Sequence, residues 1–172
     1  MADLDTMRTE ELNALSSFRS FYQSLKYAGL EGSLPLDGSL LDTGCGFGDL
    51  LCKMHKESPA MNLYGVDMSP HYAVESKKIV PSANIIIADF QKLPFRDGSF
   101  DAVVSSNIFD HCFGYSTKFD SERMINEVYR VLKKEGLYFI QDIHVQESNI
   151  PEELILLEKM FKRKDKQLFV KN

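Results

Sequence analysis

Residues 39–57, SLLDTGCGFGDLLCKMHKE, join a short apolar run to an amphipathic segment through three glycines. The apolar run has the length of a buried strand, and Asp49 to Glu57 have the periodicity of a helix. Gly44, Gly46 and Gly48 can adopt positive φ, and their missing side chains let a ligand reach the backbone at the helix N-terminus. This stretch predicts a β-α turn, which either binds a ligand or only connects the strand to the helix.

Four more apolar runs alternate with amphipathic segments along the chain. This β-α-β order predicts an α/β fold with a doubly wound, mostly parallel sheet, whose strands are buried on both faces. The predicted strands are Leu40–Gly44, Asn62–Asp67, Asn84–Asp89, Phe100–Ser106 and Leu137–Ile143. The predicted helices are Thr9–Tyr27, Asp49–Glu57, Ser69–Ile79, Asp120–Leu132 and Pro151–Lys162, with Gly136 stopping the fourth.

The 172-residue length predicts one domain, comprising an N-terminal helix and connector (1–38), a core (39–143) and a C-terminal helix with a short strand (144–172). Neither a membrane-length apolar run nor a secretory signal pattern is present, so we expect a cytoplasmic protein without membrane contact. A net charge of −5 argues against nucleic acid as the main partner. The three widely spaced cysteines fit neither a disulfide framework nor a metal site, and we expect no metal.

Acidic residues accompany the first three predicted strands near their carboxyl ends, where ligands bind in such sheets. Asp42 precedes the glycines, whose G-x-G-x-G spacing differs from the G-x-G-x-x-G of dinucleotide sites. A carboxylate disfavours pyrophosphate and favours an ammonium group. Asp67 has two oxygens for the hydroxyls of a ribose, or else it caps the following turn. Asp89 is placed to accept from an adenine amino group.

Four motifs follow one another in the order LLDTGCGFG, GVDMSP, ADFQKLPFRDGSFDAVVSSNIFDH and EVYRVLKKEGLYFI. In this order they resemble the class I S-adenosylmethionine-dependent methyltransferases, in the small-molecule branch of the ubiquinone and menaquinone biosynthesis enzymes. The resemblance runs from about Leu40 to Asp142. It implies a Rossmann-like fold, S-adenosylmethionine as cofactor, S-adenosylhomocysteine as product, and in-line methyl transfer to a small-molecule acceptor.

The resemblance also implies a set of cofactor-binding residues. Asp67 would bind the ribose, while Met68 would pack on the adenine whose edge Asp89 and Phe90 read. Asn107 would lie close to the amino group of the cofactor and the transferring methyl. The complete implied set is Asp42, Gly44, Cys45, Gly46, Asp67, Met68, Asp89, Phe90 and Asn107.

Candidates for a general base lie just after the fourth predicted strand, at Asp110 and His111. Similar proteins often carry two adjacent histidines here, whereas this chain has Asp-His. A base is needed only if the acceptor must lose a proton. His111 can titrate near neutral pH, but a histidine that orients the loop is an equal alternative, and Asp110 also suits a turn.

The C-terminal part is shorter than in the family, so we expect either a fragment of a longer protein or a shortened sheet. Residues 167–170 are expected to pair beside the fifth strand or along another chain. An apolar sheet edge favours association, so we expect a homodimer or some other covering of that edge. Two other functions stay open: a catalytically silent cofactor-binding protein with a scaffold or regulatory role, and a nucleotide-dependent oxidoreductase, which the glycine spacing disfavours.

Overall fold

The computed structural model describes residues 34–106, 108, 120–141 and 167–171 of the chain. Of the predicted elements, the helices over residues 9–27 and 151–162 lie outside this part. The strands are β1 (Ser39–Thr43), β2 (Asn62–Asp67), β3 (Asn84–Ile87), β4 (Phe100–Ser106), β5 (Leu132–Gln141) and β6 (Gln167–Lys171). The helices are α1 (Asp49–Glu57), α2 (Pro70–Ile79) and α3 (Ser121–Val131).

The strands of the described residues form one parallel sheet in the order β3-β2-β1-β4-β5-β6. Strand β1 lies between β2 and β4, so the strand order reverses there and a crevice opens beyond its carboxyl end. This arrangement confirms the predicted doubly wound, parallel sheet. It places the glycine loop, which follows β1, at the position where such sheets bind ligands.

Helices cover both faces of the sheet. On one face, α1 places the Leu51 side chain 2.8 Å from where a Cβ on Gly65 would lie. On the opposite face, Met124 and Val128 of α3 pack in a buried cluster that includes Leu41 of β1. Within the described residues, no helix combines the length and the apolar character needed to cross a membrane.

The C-terminal strand β6 pairs in parallel with β5, from Leu137 opposite Gln167 to Gln141 opposite Lys171. The sequence predicted that residues 167–170 pair either beside the fifth strand or along another chain, and the structure shows the first arrangement. The edge of β5 is therefore covered within the chain, and the outer strands of the described sheet are β3 and β6. The homodimer stays a prediction, and the β5 edge that motivated it is already paired.

Two details of the predicted elements are wrong. The third strand ends at Ile87 rather than Asp89, and it is an edge strand with Asn84 and Ile87 exposed instead of buried on both faces. Helix α3 ends at Val131 and does not continue towards Gly136, because Leu132 is buried in the sheet opposite Phe100. Burial of this side chain outweighs the helical propensity of the residues after it.

Three buried hydroxyl groups form a chain across β1, β4 and β5. The Thr43 hydroxyl donates to the carbonyl oxygen of Val104 (3.1 Å), and its Oγ1 lies 2.6 Å from Ser105 Oγ. Ser105 Oγ in turn lies 2.9 Å from the phenol oxygen of Tyr138. Because each hydroxyl has one proton, Ser105 donates to Thr43 and Tyr138 donates to Ser105. The chain joins the three central strands near their carboxyl ends.

The connecting segment between β3 and β4, residues 88–99, is fastened to α3 by an ion pair. Arg130 donates to both carboxylate oxygens of Glu127 (2.8 Å each) and to the carbonyl oxygens of Phe95 (2.7 Å) and Leu93 (3.0 Å). Glu127 also accepts from the backbone N–H of Leu93 (2.8 Å). These hydrogen bonds stabilise the Glu127 carboxylate and lower its pKa, with the Arg130 contact as the largest cause. A planar guanidinium suits this fork of acceptors.

We predict that Glu127→Gln lowers the free energy of unfolding at pH 7 by about 1 to 3 kcal/mol, because it weakens charge-assisted hydrogen bonds. The native pKa of Glu127 lies below its ordinary value of 4.5, so the wild-type advantage is complete above that value. It should shrink as the pH falls through the native pKa. Urea unfolding at several pH values measures this difference. Glu57→Gln, which alters an exposed ion pair with Lys53, is the control and should change stability by less than about 0.5 kcal/mol. A difference independent of pH would contradict this interpretation of Glu127.

Strand β5 contains Glu135, which has a φ of 63° in the left-handed region that favours glycine. The position lies within an irregularity in the pairing of β5 with β4. We predict that Glu135→Gly raises the free energy of unfolding by about 0.5 to 1 kcal/mol, because relief of the left-handed strain exceeds the entropy cost of glycine. Glu135→Ala retains the strain and should give no gain. Denaturant unfolding of both variants tests the prediction, and equal effects would contradict it.

Candidate functional site

The glycine loop, residues 44–48 between β1 and α1, folds back over the end of β2. The backbone N–H groups of Gly44 and Cys45 both donate to the carbonyl oxygen of Val66 (2.7 and 3.0 Å). The φ values of Gly44, Gly46 and Gly48 are 67°, 54° and 80°, all in the left-handed region. This loop conformation therefore depends on residues without side chains, as the sequence pattern predicts.

The three glycines have different surroundings. A Cβ on Gly48 would collide with the Ser76 side chain and lie 3.3 Å from Ser76 Cα, so this glycine allows α1 and α2 to approach. A Cβ on Gly44 would lie 2.8 Å from the Ile108 side chain. A Cβ on Gly46 would meet no atom of the described residues within 4 Å. Of the three glycines, therefore, only Gly46 faces space that the described residues leave open, in which a ligand could contact the loop.

The Asp67 carboxylate, at the end of β2, joins two loops. Its Oδ2 accepts from the backbone N–H of Gly46 (2.9 Å), and its Oδ1 accepts from that of Ser69 (2.8 Å). The second bond is the Asx turn that the sequence offered as an alternative to ribose binding. Since each carboxylate oxygen can accept two hydrogen bonds, both oxygens retain capacity for a further donor. The two roles are therefore compatible.

Negative charge is concentrated at the start of the glycine loop. Asp42 lies within β1, as in the predicted strand, where it is only 3% exposed and opposite Gly65. Burial raises the pKa of the Cys45 thiol, and the charges of Asp42 and Asp67 raise it further. The thiol therefore stays neutral, and two carboxylates act on the same position. Such a site disfavours a pyrophosphate and favours a cationic group.

The remaining described candidates lie beyond β2 and β3. Met68, next to Asp67, is 54% exposed, as a residue available for packing on a ligand would be. Phe90 is partly buried against the core cluster. The Asp89 carboxylate is exposed and accepts from the backbone N–H of Gln91 (2.8 Å) and from its side-chain amide (3.3 Å to each oxygen). Asp89 is thus held in an Asx turn just after the edge strand.

The structure brings together only part of the predicted site. Asn107, Asp110 and His111 lie outside the described residues, so their roles stay predictions. Between residues 34 and 106, at 108, in 120–141 and in 167–171, no group of three or more histidine, cysteine or acidic residues is arranged to hold a metal ion.

Two residues of the site were missed by the sequence analysis. Ser76 matters because it packs against Gly48, and nothing in its own position in the sequence indicates that contact. Gln91 holds the carboxylate of Asp89. Its place two residues after an aspartate is the spacing of an Asx turn, which could have identified the backbone contact.

The chain matches the model of a protein family described as a methyltransferase domain over residues 41–140, more than half of its length. The chain belongs to this methyltransferase family. The match includes β2, β3 and β4 in full, and with them the glycine loop, Asp67 and Asp89. The resemblance carried by the four sequence motifs is thereby confirmed.

Relatives and solved structures agree with this assignment. The ubiquinone/menaquinone biosynthesis C-methyltransferase of Desulfotalea psychrophila is 34% identical over 120 residues, which cover 67% of this chain and 46% of that protein. An S-adenosylmethionine-dependent methyltransferase structure from Mesorhizobium loti is 27% identical, with a TM-score of 0.54 over 64% of this chain and 49% of that one. A crystal structure from Methanococcus maripaludis, 19% identical, has the same fold, with a TM-score of 0.62 over 94% of this chain and 71% of that one. The chain spans about half the length of the curated relatives it matches.

The contrast between two glycines predicts how the methyltransferase loop responds to substitution. Gly46→Ala should lower the free energy of unfolding by about 1 kcal/mol, the cost of a left-handed alanine whose Cβ meets nothing. Gly48→Ala adds a clash with Ser76 and should lower it by about 2 kcal/mol or more. Denaturant unfolding of the two variants measures both changes. A Gly46→Ala variant as unstable as Gly48→Ala would contradict the open space at Gly46.

Proposed function

We propose that this protein transfers a methyl group from S-adenosylmethionine to a small-molecule acceptor by in-line displacement. The observation that carries the proposal is the space that the described residues leave open at Gly46, close to the buried residues Asp42 and Asp67. It combines a backbone that a ligand can approach with negative charge suited to an ammonium or sulfonium group. Membership of the methyltransferase family also supports methyl transfer as the reaction.

The donor groups of the site fit the cofactor part by part. Asp67 has acceptor capacity for two ribose hydroxyls while it holds the loop. Asp89 is exposed beyond β3, where it accepts from an adenine amino group, and Met68 is exposed for packing on the purine. Asp42 supplies a buried negative charge near the methionine part of the cofactor. Gly44 and Cys45 are the other residues proposed to surround that part.

When bound, S-adenosylmethionine supplies a methyl group that is already activated on a sulfonium sulfur. The protein then has to hold the acceptor in line, exclude water and, where required, remove a proton. We propose His111, or else Asp110, as the base for an acceptor that must lose a proton. Asn107, which follows β4 in the sequence, is proposed to contact the amino group of the cofactor.

For the acceptor, the names of several relatives favour a carbon atom. The Desulfotalea psychrophila protein is named a C-methyltransferase of ubiquinone and menaquinone biosynthesis. A hydroquinone ring is therefore the first acceptor class to test. The net negative charge of this chain favours a small acceptor over a nucleic acid.

We predict micromolar binding of S-adenosylhomocysteine by calorimetric titration, and no comparable binding of NAD. Gly46→Ala should weaken S-adenosylhomocysteine binding at least tenfold, because its Cβ enters the space beside the loop. Gly98→Ala is the matched control: Gly98 also has a positive φ, 62°, and its Cβ would meet no atom closer than 4.0 Å, but it lies outside the site. This control should bind like the wild type.

Transfer of labelled methyl groups to a panel of hydroquinone, phenol and amine acceptors then tests the reaction itself. Transfer to a small acceptor that is lost in Gly46→Ala supports the proposal. Tight binding without transfer to any acceptor would favour the cofactor-binding scaffold instead. Binding of NAD in place of S-adenosylhomocysteine would overturn the assignment of the site.

A further inference from the structure

Gln91 connects the Asp89 carboxylate to the start of helix α3. Its backbone N–H donates to Asp89 Oδ1 (2.8 Å), and its side-chain Nε2 lies 3.3 Å from each carboxylate oxygen. Its side-chain Oε1 accepts from the backbone N–H of Asp120 (2.8 Å), 29 residues away in the sequence. Asp120 itself caps α3 by accepting from the backbone N–H of Arg123 (2.9 Å). One side chain therefore spans from the end of β3 to a helix terminus.

The orientation of the Gln91 amide is fixed by its partner on α3. A backbone N–H can only donate, so the atom facing Asp120 must be the amide oxygen. The NH2 group is then turned towards the Asp89 carboxylate, which can only accept. Both ends of the amide are satisfied in this orientation, and a flipped amide would place two donors together on one side and two acceptors together on the other.

The contacts also select which oxygen of Asp89 is open to a ligand. Oδ1 accepts from the backbone and the side chain of Gln91, whereas Oδ2 accepts only from the side-chain amide, at 3.3 Å. Oδ2 thus retains capacity for a further donor. Helix α3 is anchored in the core through Met124 and Val128, so the amide is held from a rigid element.

We propose that Gln91 is a positioning residue for purine recognition: it orients Asp89 so that Oδ2 accepts from the 6-amino group of the cofactor. The inference rests on the proposed function, because it assumes that Asp89 reads the adenine edge. Gln91 contributes no contact to the purine and acts only through Asp89. Its removal should therefore reduce discrimination at carbon 6 of the purine more than overall affinity for the nucleoside.

The test compares S-adenosylhomocysteine with its 6-desamino analogue, in which hydrogen replaces the amino group. We expect the wild type to prefer S-adenosylhomocysteine about tenfold by calorimetric titration, the worth of one hydrogen bond to a charged group. Gln91→Met retains the size of the side chain and removes the amide, and the preference should fall to about twofold or less. Lys92→Met is the matched control, since Lys92 is an exposed neighbour whose side chain is not part of the Asp89 contacts. Its preference should equal that of the wild type.

A second set of variants tests whether Gln91 acts through Asp89. Asp89→Asn should reduce the preference by itself, and addition of Gln91→Met to it should produce no further change. If Gln91→Met weakens both ligands equally, Gln91 is merely structural and the inference is overturned. An unchanged preference overturns it as well. If the wild type binds neither ligand, the proposed function fails first, so the two failures are distinguishable.

Discussion

The two hydrogen bonds of the Asp67 carboxylate are the constraint on which the site depends. They join the backbone of the glycine loop to the turn before α2, at 2.9 and 2.8 Å, although the two loops are more than twenty residues apart in the sequence. Hydrogen bonds to an ionised carboxylate are about twice as strong as neutral ones. The residue is 9% exposed, so loss of the carboxylate would leave the partly buried N–H groups of Gly46 and Ser69 without this partner. Asp67 thus shapes the loop before any ligand arrives.

This constraint also explains why different glycines of the loop serve ligand access and helix packing. With Gly46 held by Asp67, the backbone at this position is presented to open space, while Gly48 is used for the approach of α1 to α2. The charges of Asp42 and Asp67 both act on Cys45, the neighbour of Gly46, where they add to the effect of burial in raising the pKa of the thiol. A single glycine motif therefore contains both a ligand-facing position and a packing position, and the spacing G-x-G-x-G alone does not distinguish them.

Much of the fold could be predicted because hydrophobic periodicity and acidic strand ends are local features. The runs around Leu40, Leu63 and Val103 predicted strands in the correct order along the chain, and the parallel, doubly wound sheet followed from their alternation with helices. Interactions between distant segments could not be predicted in this way. The contact of Gln91 with Asp120 depends on tertiary structure, as does the early end of α3 at Val131, where burial of the next residue overrides helical propensity.

The hydroxyl chain of Thr43, Ser105 and Tyr138 has a consequence for how the strands align. The central strands β1, β4 and β5 are apolar on both faces, so a slip of one strand by one residue would still bury hydrophobic side chains. The same slip would move one hydroxyl to the other face and leave its neighbours buried without partners, at about 1 to 3 kcal/mol for each. The three hydroxyl groups therefore disfavour misaligned sheets that burial of hydrophobic side chains alone would permit. The strand alignment that forms the crevice beyond β1 thus depends on these buried hydroxyl groups as well as on the hydrophobic side chains around them.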